Sequence, residues 1–177
     1  NLIIDNAQAF FALHNTIATI SSPRTFFGLP DGGLLYSDIK IDSEFDTAIS
    51  FDLCSHLLKR IDMDANAAYG DFQKNDSALE NRPIQKMSRL TMSLMGNIDY
   101  DFARRRRIEN FNMLHNALQH KNQIKIDLSD DDVPMVYPLR TNDTTLRNTL
   151  IQNQIFVAKY WSAVSHSECM TSVRAKK

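Results

Sequence analysis

The amino-acid sequence predicts a mixed α/β fold. Two short apolar segments, residues 2–4 and 34–36, have the length and composition of strands, and a glycine-containing turn precedes the second. From about residue 43, apolar residues recur at helical spacing, and a second group of strand-like segments lies beyond residue 123. The change of pattern between Asp38 and Asp42 predicts two domains, residues 1–40 and residues 41–177.

Helices are predicted through the middle of the chain. Residues 43–46, Ser-Glu-Phe-Asp, resemble a capping box. Ile49, Leu53 and Leu57 follow at helical spacing, which predicts a helix of about four turns. Further helices are predicted around residues 67–72, over residues 77–82, over residues 90–95 and over residues 99–118.

The C-terminal part predicts a small α+β layer. Apolar and polar residues alternate over residues 124–128, and residues 135–137 and 155–160 supply two more strand-like runs. Asn142 or Thr144 is predicted to cap a helix that runs through Ile151. In the order strand, strand, helix and strand, the three strands can form one sheet and the helix can pack against it.

Charge and composition disfavour several kinds of partner. The formal net charge is −1 and the pI is about 6.6, which favours neither nucleic acid nor an anionic membrane. A helix spreads the arginines at 104–107 around its circumference, so this run is interpreted as a solvated face with ion pairs. No apolar run approaches the roughly 20 residues that span a bilayer. Cys54 and Cys169 are interpreted as reduced thiols of a cytoplasmic protein, and no histidine has metal-ligand spacing.

Asp5 allows two interpretations. It directly follows the first predicted strand, where a carboxylate can bind a cation or a protonated ring, and Gln8 lies close by in sequence. It can equally cap a helix that begins at Ala7, because aspartate is a preferred N-cap residue.

Several segments in one order resemble a known family. Residues 1–8 and 25–38 are similar to paired segments of the DegT/StrS-type sugar aminotransferases, which use pyridoxal phosphate (PLP) on an aspartate-aminotransferase-like (fold type I) fold. Four later stretches also resemble the downstream half of a subgroup of this family: Lys86-Met87-Ser88-Arg89-Leu90-Thr91, Arg107-Ile108-Glu109-Asn110-Phe111, Val133-Pro134-Met135-Val136-Tyr137-Pro138 and Ile155-Phe156-Val157-Ala158-Lys159-Tyr160-Trp161.

The resemblance implies a role for four residues. Asp5 would hold the protonated pyridine nitrogen of PLP, Gln8 would lie near the ring hydroxyl and Ser22 near the phosphate. The residue between the Pro-Arg pair and the Phe-Phe-Gly run is, in this subgroup, the lysine that forms the Schiff base. In this chain that position is Thr25.

The resemblance also implies a fold and a reaction. Residues 1–40 would be the end of the large PLP-binding domain, and residues 41–177 the α+β C-terminal small domain. The expected chemistry is transfer of an amino group from an amino acid, usually glutamate, to a keto sugar linked to a nucleotide, for polysaccharide biosynthesis. A homodimer is expected, and so is an upstream half that precedes this chain.

Thr25 leaves two functions open. A hydroxyl cannot form an imine and is a poor base near neutral pH, and the guanidinium of Arg24 stays protonated. Lys40, the nearest lysine in sequence, lies beyond the second predicted strand. The first hypothesis is an aminotransferase-like protein. The alternative is a non-catalytic homologue that keeps the fold and a ligand cleft.

Overall fold

The computed structural model describes residues 2–12, 14 and 16–160. Asn1, Trp161 and Cys169 therefore lie outside the described residues. The described part contains three strands, β1 (Ile3–Asn6), β2 (Ala18–Ser21) and β3 (Leu34–Ser37). Its α-helices are α1 (Ser55–Asp62), α2 (Tyr69–Ser77), α3 (Arg89–Met95), α4 (Tyr100–Leu118) and α5 (Leu146–Gln152). Short 3₁₀ helices are found at Pro23–Thr25, Phe51–Leu53 and Gln119–Lys121.

The three strands form one mixed sheet in the order β1-β2-β3. β1 is parallel to β2, with Asp5 opposite Ile20 and Asn6 opposite Ser21. β3 is antiparallel to β2, so Leu34 lies opposite Ser21 and Ser37 opposite Ala18. The predictions of β1 and β3 are confirmed. The prediction that the first strand is buried is wrong, because Ile3 is 65% exposed.

The two faces of the sheet differ in burial. Asn6, Thr19 and Ser21 are buried, whereas Ile20 and Leu35, opposite each other on the other face, are exposed. Side chains of successive strand residues point to opposite faces. The covered face of this small sheet is therefore largely polar.

The helices predicted over residues 90–95 and 99–118 are confirmed as α3 and α4. Ser88 caps α3 by accepting the N–H of Thr91, and Gly96 follows its last residue. Asp99 caps α4 by accepting the N–H of Phe102 at 2.8 Å. Among the residues that the structure describes, no helix is both long and apolar enough to cross a bilayer.

Other helix predictions need correction. The four-turn helix expected from Ser43 is absent: Thr47 instead forms a parallel bridge with Lys86, and the first α-helix begins only at Ser55. The short helix expected from Ser77 is also wrong, because Ser77 is the last residue of α2. The helix near Ile151 is confirmed as α5. Its N-terminal N–H groups, however, are accepted by Asp143, not by Asn142 or Thr144.

The strands predicted over residues 124–128, 135–137 and 155–160 do not form within the described part of the chain. The side chain of Asn122 instead joins the first two segments, donating to the Pro138 carbonyl at 2.8 Å and accepting the Arg140 N–H at 3.0 Å. Pro134 and Pro138 lack the N–H groups that a strand ladder requires. The expected C-terminal sheet is therefore absent there.

A buried polar cluster connects the turn before β3 to α3. Asp31 accepts hydrogen bonds from the Ser88 N–H at 3.3 Å, from the Ser88 hydroxyl at 2.9 Å and from the Thr91 hydroxyl. The Ser50 and Ser88 hydroxyl oxygens are 2.7 Å apart. Because the Ser88 proton is directed to Asp31, Ser50 is the donor in that contact. We call Asp31, Ser50, Ser88 and Thr91 the Asp31 cluster; all four residues are buried.

A substitution of Gly32, which lies next to this cluster, tests the geometry of the turn. Its φ is +105°, and a Cβ there would lie 2.9 Å from Cε of Met87. We expect Gly32→Ala to lower the free energy of unfolding by about 1–3 kcal/mol, measured by urea denaturation. Gly70→Ala is the matched control, because a Cβ at this helical position meets nothing within 4 Å. It should raise stability by roughly 0.5–1 kcal/mol. Equal effects of the two substitutions would contradict the strained turn.

Asp31→Asn tests the cluster itself. The asparagine amide would direct its NH₂ group toward donors that need an acceptor, so we expect a loss of about 1–3 kcal/mol in the free energy of unfolding. Asp130 is exposed, and Asp130→Asn is the control, with an expected change within about 0.5 kcal/mol. Urea midpoints of both variants at neutral pH provide the comparison. A midpoint unchanged in Asp31→Asn would show that the cluster contributes little to stability.

Candidate functional site

The ends of β1 and β2 bring the predicted site residues to one edge of the sheet. The strands are parallel and end together, because Asn6 lies opposite Ser21. The Pro23–Thr25 3₁₀ helix follows β2 after a single residue, Ser22. We call Asp5, Asn6, Ser21, Ser22 and Thr25 the strand-end site. In open α/β sheets, polar groups at the carboxyl ends of parallel strands commonly form ligand-binding sites.

Asp5 is exposed and takes part in a local turn. Its Oδ1 accepts the N–H of Ala7 at 2.9 Å. The chain continues in turns, with the Ala9 N–H donating to the Asn6 carbonyl, so the helix that Asp5 was expected to cap does not form. Gln8 is exposed in the same turn region. The Asp5 carboxylate therefore caps a turn and still faces solvent.

Asn6 and Ser21 are the last residues of β1 and β2, and their buried side chains lie on the covered face of the sheet, opposite to the face of Asp5. Asn6 is 4% exposed and donates to the Ala12 carbonyl at 2.8 Å, which closes the turn region after β1. Ser21 is 1% exposed, and its hydroxyl oxygen has no hydrogen-bond partner among the described residues. Leaving a buried hydroxyl unpaired costs about 1–3 kcal/mol. The strand-end site thus contains an unsatisfied polar atom.

Sequence reasoning missed β2, which carries Ser21. The signal was present, because Thr16, Ile17, Thr19 and Ile20 form a run rich in β-branched residues. The half-buried Ser22, which was expected near a phosphate, makes no capping hydrogen bond with its side chain. Thr25 is exposed at the end of the 3₁₀ helix. The structure therefore brings Asp5, Ser22 and Thr25 to one edge.

Arg24 anchors the segment that carries Thr25 to α2. Its guanidinium lies 3.1 Å from the Asp76 carboxylate. Its Nε is buried and has no partner among the described residues. An exposed ion pair of this kind contributes only about 0–1 kcal/mol. The contact therefore positions the segment more than it stabilises the fold.

Arg107 anchors the same segment from α4. It donates to the Phe26 carbonyl at 2.7 Å and to the Met135 carbonyl at 3.1 Å, and its guanidinium carbon lies 4.4 Å from the centre of the Phe26 ring. Burial lowers the pKa of Arg107. The sequence predicts that this arginine lies on a solvated helix face, and this prediction is wrong for Arg107. Arg105 and Arg106 are exposed as expected, but Arg107 is half-buried.

Aromatic rings pack the turn after β1 against the segment after Thr25. The rings are Phe10, Phe11, Phe26, Phe27 and Tyr100, and their contacting centroids lie 5.0 to 6.3 Å apart. Edge-to-face and offset ring pairs contribute about 0.5–1.5 kcal/mol beyond area burial. This packing holds the two halves of the strand-end site together.

The sheet geometry separates Lys40 from Thr25. β3 starts opposite Ser21 and ends opposite Ala18, so the chain leaves β3 at the other end of β2. Lys40 follows there and pairs with Asp42 at 2.9 Å, with 88% of its side chain exposed. Lys40 therefore does not replace the lysine missing at position 25.

Two other side chains with reactive groups, Cys54 and His56, have shifted pKa values. Burial, with the carboxylates of Asp31 and Asp52, raises the pKa of the Cys54 thiol, so the thiol stays protonated near neutral pH. Burial and the charge of Arg24 lower the pKa of His56. Asn75 donates to Nδ1 of His56 at 2.9 Å, which requires the neutral imidazole. Among the described residues, no group of three His, Cys, Asp or Glu side chains could hold a metal ion.

The lowered pKa of His56 predicts that the stability of the protein depends on pH. Because its pKa is lower in the folded protein, its contribution is present above the unfolded pKa of about 6.5 and is lost as the pH falls through the folded pKa. We expect the free energy of unfolding to fall as the pH drops from 7.5 toward 5, measured by urea denaturation. His56→Asn keeps an acceptor for Asn75 and should lose less over this range. The exposed His120→Asn control should behave like wild type; parallel curves for all three proteins would contradict this assignment.

No family model, no curated protein and no solved structure matches the chain. The resemblance to sugar aminotransferases therefore rests on the quoted residues and their order alone.

Proposed function

We propose that this chain is part of a PLP-dependent aminotransferase-like protein that acts on a nucleotide-linked keto sugar, with an amino acid such as glutamate as the donor. The proposal includes a homodimer, as the resemblance implies. The observation that carries it is the parallel pairing of β1 with β2, which brings Asp5 and Ser22 to the sheet edge from which the Thr25 segment departs. Ligands of open α/β sheets bind outside the carboxyl ends of parallel strands.

The side chains at this edge suit a phosphorylated pyridine. The Asp5 Oδ1 atom accepts the hydrogen bond of the turn, which leaves Oδ2. This second oxygen could accept a hydrogen bond from a protonated ring nitrogen. The Ser22 hydroxyl is not used for capping. Bound PLP would supply an electron sink. Asp5 would favour the protonated ring, Gln8 would lie beside its hydroxyl and Ser22 would donate to the phosphate.

Thr25 does not fit the role of the missing lysine. A hydroxyl cannot attach the cofactor and does not carry protons between carbon atoms near neutral pH. Thr25 and the distant Lys40 favour the second candidate, a non-catalytic homologue that keeps the fold and a ligand cleft. The two candidates share the binding residues and differ in turnover.

Thr25→Lys tests the binding residues directly. Position 25 is exposed, so a lysine there should be tolerated. We expect the full-length variant mixed with PLP to absorb visible light and to carry, after borohydride reduction, a cofactor adduct mapped to position 25. Thr144→Lys, at another exposed threonine, is the matched control and should give no specific adduct. Adding Asp5→Asn to Thr25→Lys should weaken PLP binding about tenfold, the cost of about one charged hydrogen bond.

The outcomes separate the candidates. An adduct at position 25, with wild type inactive toward a keto sugar nucleotide, supports a retained cofactor site that has lost turnover. Amino transfer by wild type would support the aminotransferase. Absence of an adduct at position 25, or binding insensitive to Asp5→Asn, would overturn the cofactor assignment.

A further inference from the structure

A cleft lies outside the strand-end site. It has a volume of about 320 Å³ and lies between the turn that follows α1 and the chain that follows α5. Its lining residues are Arg60, Asp64, Ala65, Asn66, Gln154 and Phe156. Small-ligand pockets begin at roughly 300 Å³. No residue of the strand-end site lines this cleft, so the inference below does not depend on the proposed function.

Most polar side chains of the cleft remain available to a ligand. Asp64 uses Oδ1 to accept the Ala67 N–H at 2.8 Å, which leaves Oδ2. Among the described residues, the side chains of Arg60, Asn66 and Gln154 take part in no hydrogen bond or ion pair with another part of the protein. The cleft therefore presents a guanidinium, a carboxylate oxygen and two amides.

Gln154 occupies a strained backbone position beside these groups. It has a φ of 61°, in the left-handed region that favours glycine. The N–H of Ile155 donates to the Leu150 carbonyl and the N–H of Gln154 to the Ile151 carbonyl, which together form a Schellman motif at the end of α5. Glycine is the usual residue at this position. Here the strained position instead carries an amide side chain that lines the cleft.

The cleft also contains an exposed aromatic ring. Phe156 is 52% exposed and follows the Schellman motif directly. An aromatic face packs against the C–H groups of an apolar or ring-shaped ligand, while nearby polar groups set its orientation. A carboxylate together with an arginine makes the lining mixed in charge. The opposite charges of Arg60 and Asp64 offset each other, so the lining favours neither an anion nor a cation and suits a neutral ligand with many hydroxyl groups.

We propose that this cleft binds a neutral sugar ring. Asp64 Oδ2 accepts sugar hydroxyls, Arg60 donates to them, and Asn66 and Gln154 do both. Phe156 packs against one face of the ring. Gln154 keeps its strained backbone because its amide is needed at this position.

The test is a titration of the ¹⁵N-labelled full-length protein with the methyl glycosides of glucose, galactose and mannose, followed by amide NMR shifts. We expect saturable shifts confined to residues 60–66 and 154–156, with a Kd of about 1–10 mM for at least one glycoside. Asp64→Asn keeps the acceptor for Ala67 and should weaken binding about tenfold, as should Phe156→Ala. Asp62→Asn and Phe51→Ala, both exposed and outside the cleft, are the matched controls and should leave Kd unchanged.

Gln154→Gly separates binding from structure. Glycine relieves the left-handed strain, so this variant should raise the urea midpoint while it weakens glycoside binding. No saturable shift with any glycoside would overturn the proposal. Shifts that are insensitive to Asp64→Asn and Phe156→Ala, or tighter binding of inorganic phosphate than of the glycosides, would overturn it as well.

Discussion

Three donors from the start of α3 converge on the buried carboxylate of Asp31: the Ser88 N–H, the Ser88 hydroxyl and the Thr91 hydroxyl. Ser50 adds a fourth group through Ser88. An unpaired carboxylate in this position would be costly, so α3 stabilises the turn before β3. One buried acid thereby connects this turn to a helix that follows it by more than 50 residues.

Three anchors hold the segments that form the strand-end site. Asp76 holds Arg24 on one side of Thr25, and Arg107 holds the Phe26 carbonyl on the other. The aromatic rings then pack the turn after β1 against the same segment. Thr25 is thus presented from a segment fixed on both sides, and its own side chain is exposed.

Apolar periodicity and the residues next to the helix ends account for the helices that could be predicted from the sequence. Asp99 and Ser88 cap helices through their own side chains, and Gly96 follows one, so α3 and α4 could be predicted from neighbouring residues. The helix expected from Ser43 failed because its signal was also local, whereas Thr47 pairs with Lys86 and Ser50 joins a buried cluster. Alternation over residues 124–128 predicted a strand, but no neighbouring strand is available where Pro134 and Pro138 interrupt the backbone donors.

The sequence by itself determined the positions of Asp5, Gln8, Ser22 and Thr25, the absence of a lysine at position 25 and the ends of α3 and α4, because these depend on residue type and near neighbours. Only the tertiary structure decided that β2 pairs in parallel with β1, that Lys40 leaves at the far end of the sheet and that Arg107 is half-buried against Phe26. These features depend on hydrogen bonds and burial between residues far apart in the chain. Such contacts leave no periodic signal in the sequence, because either partner alone is compatible with an exposed position.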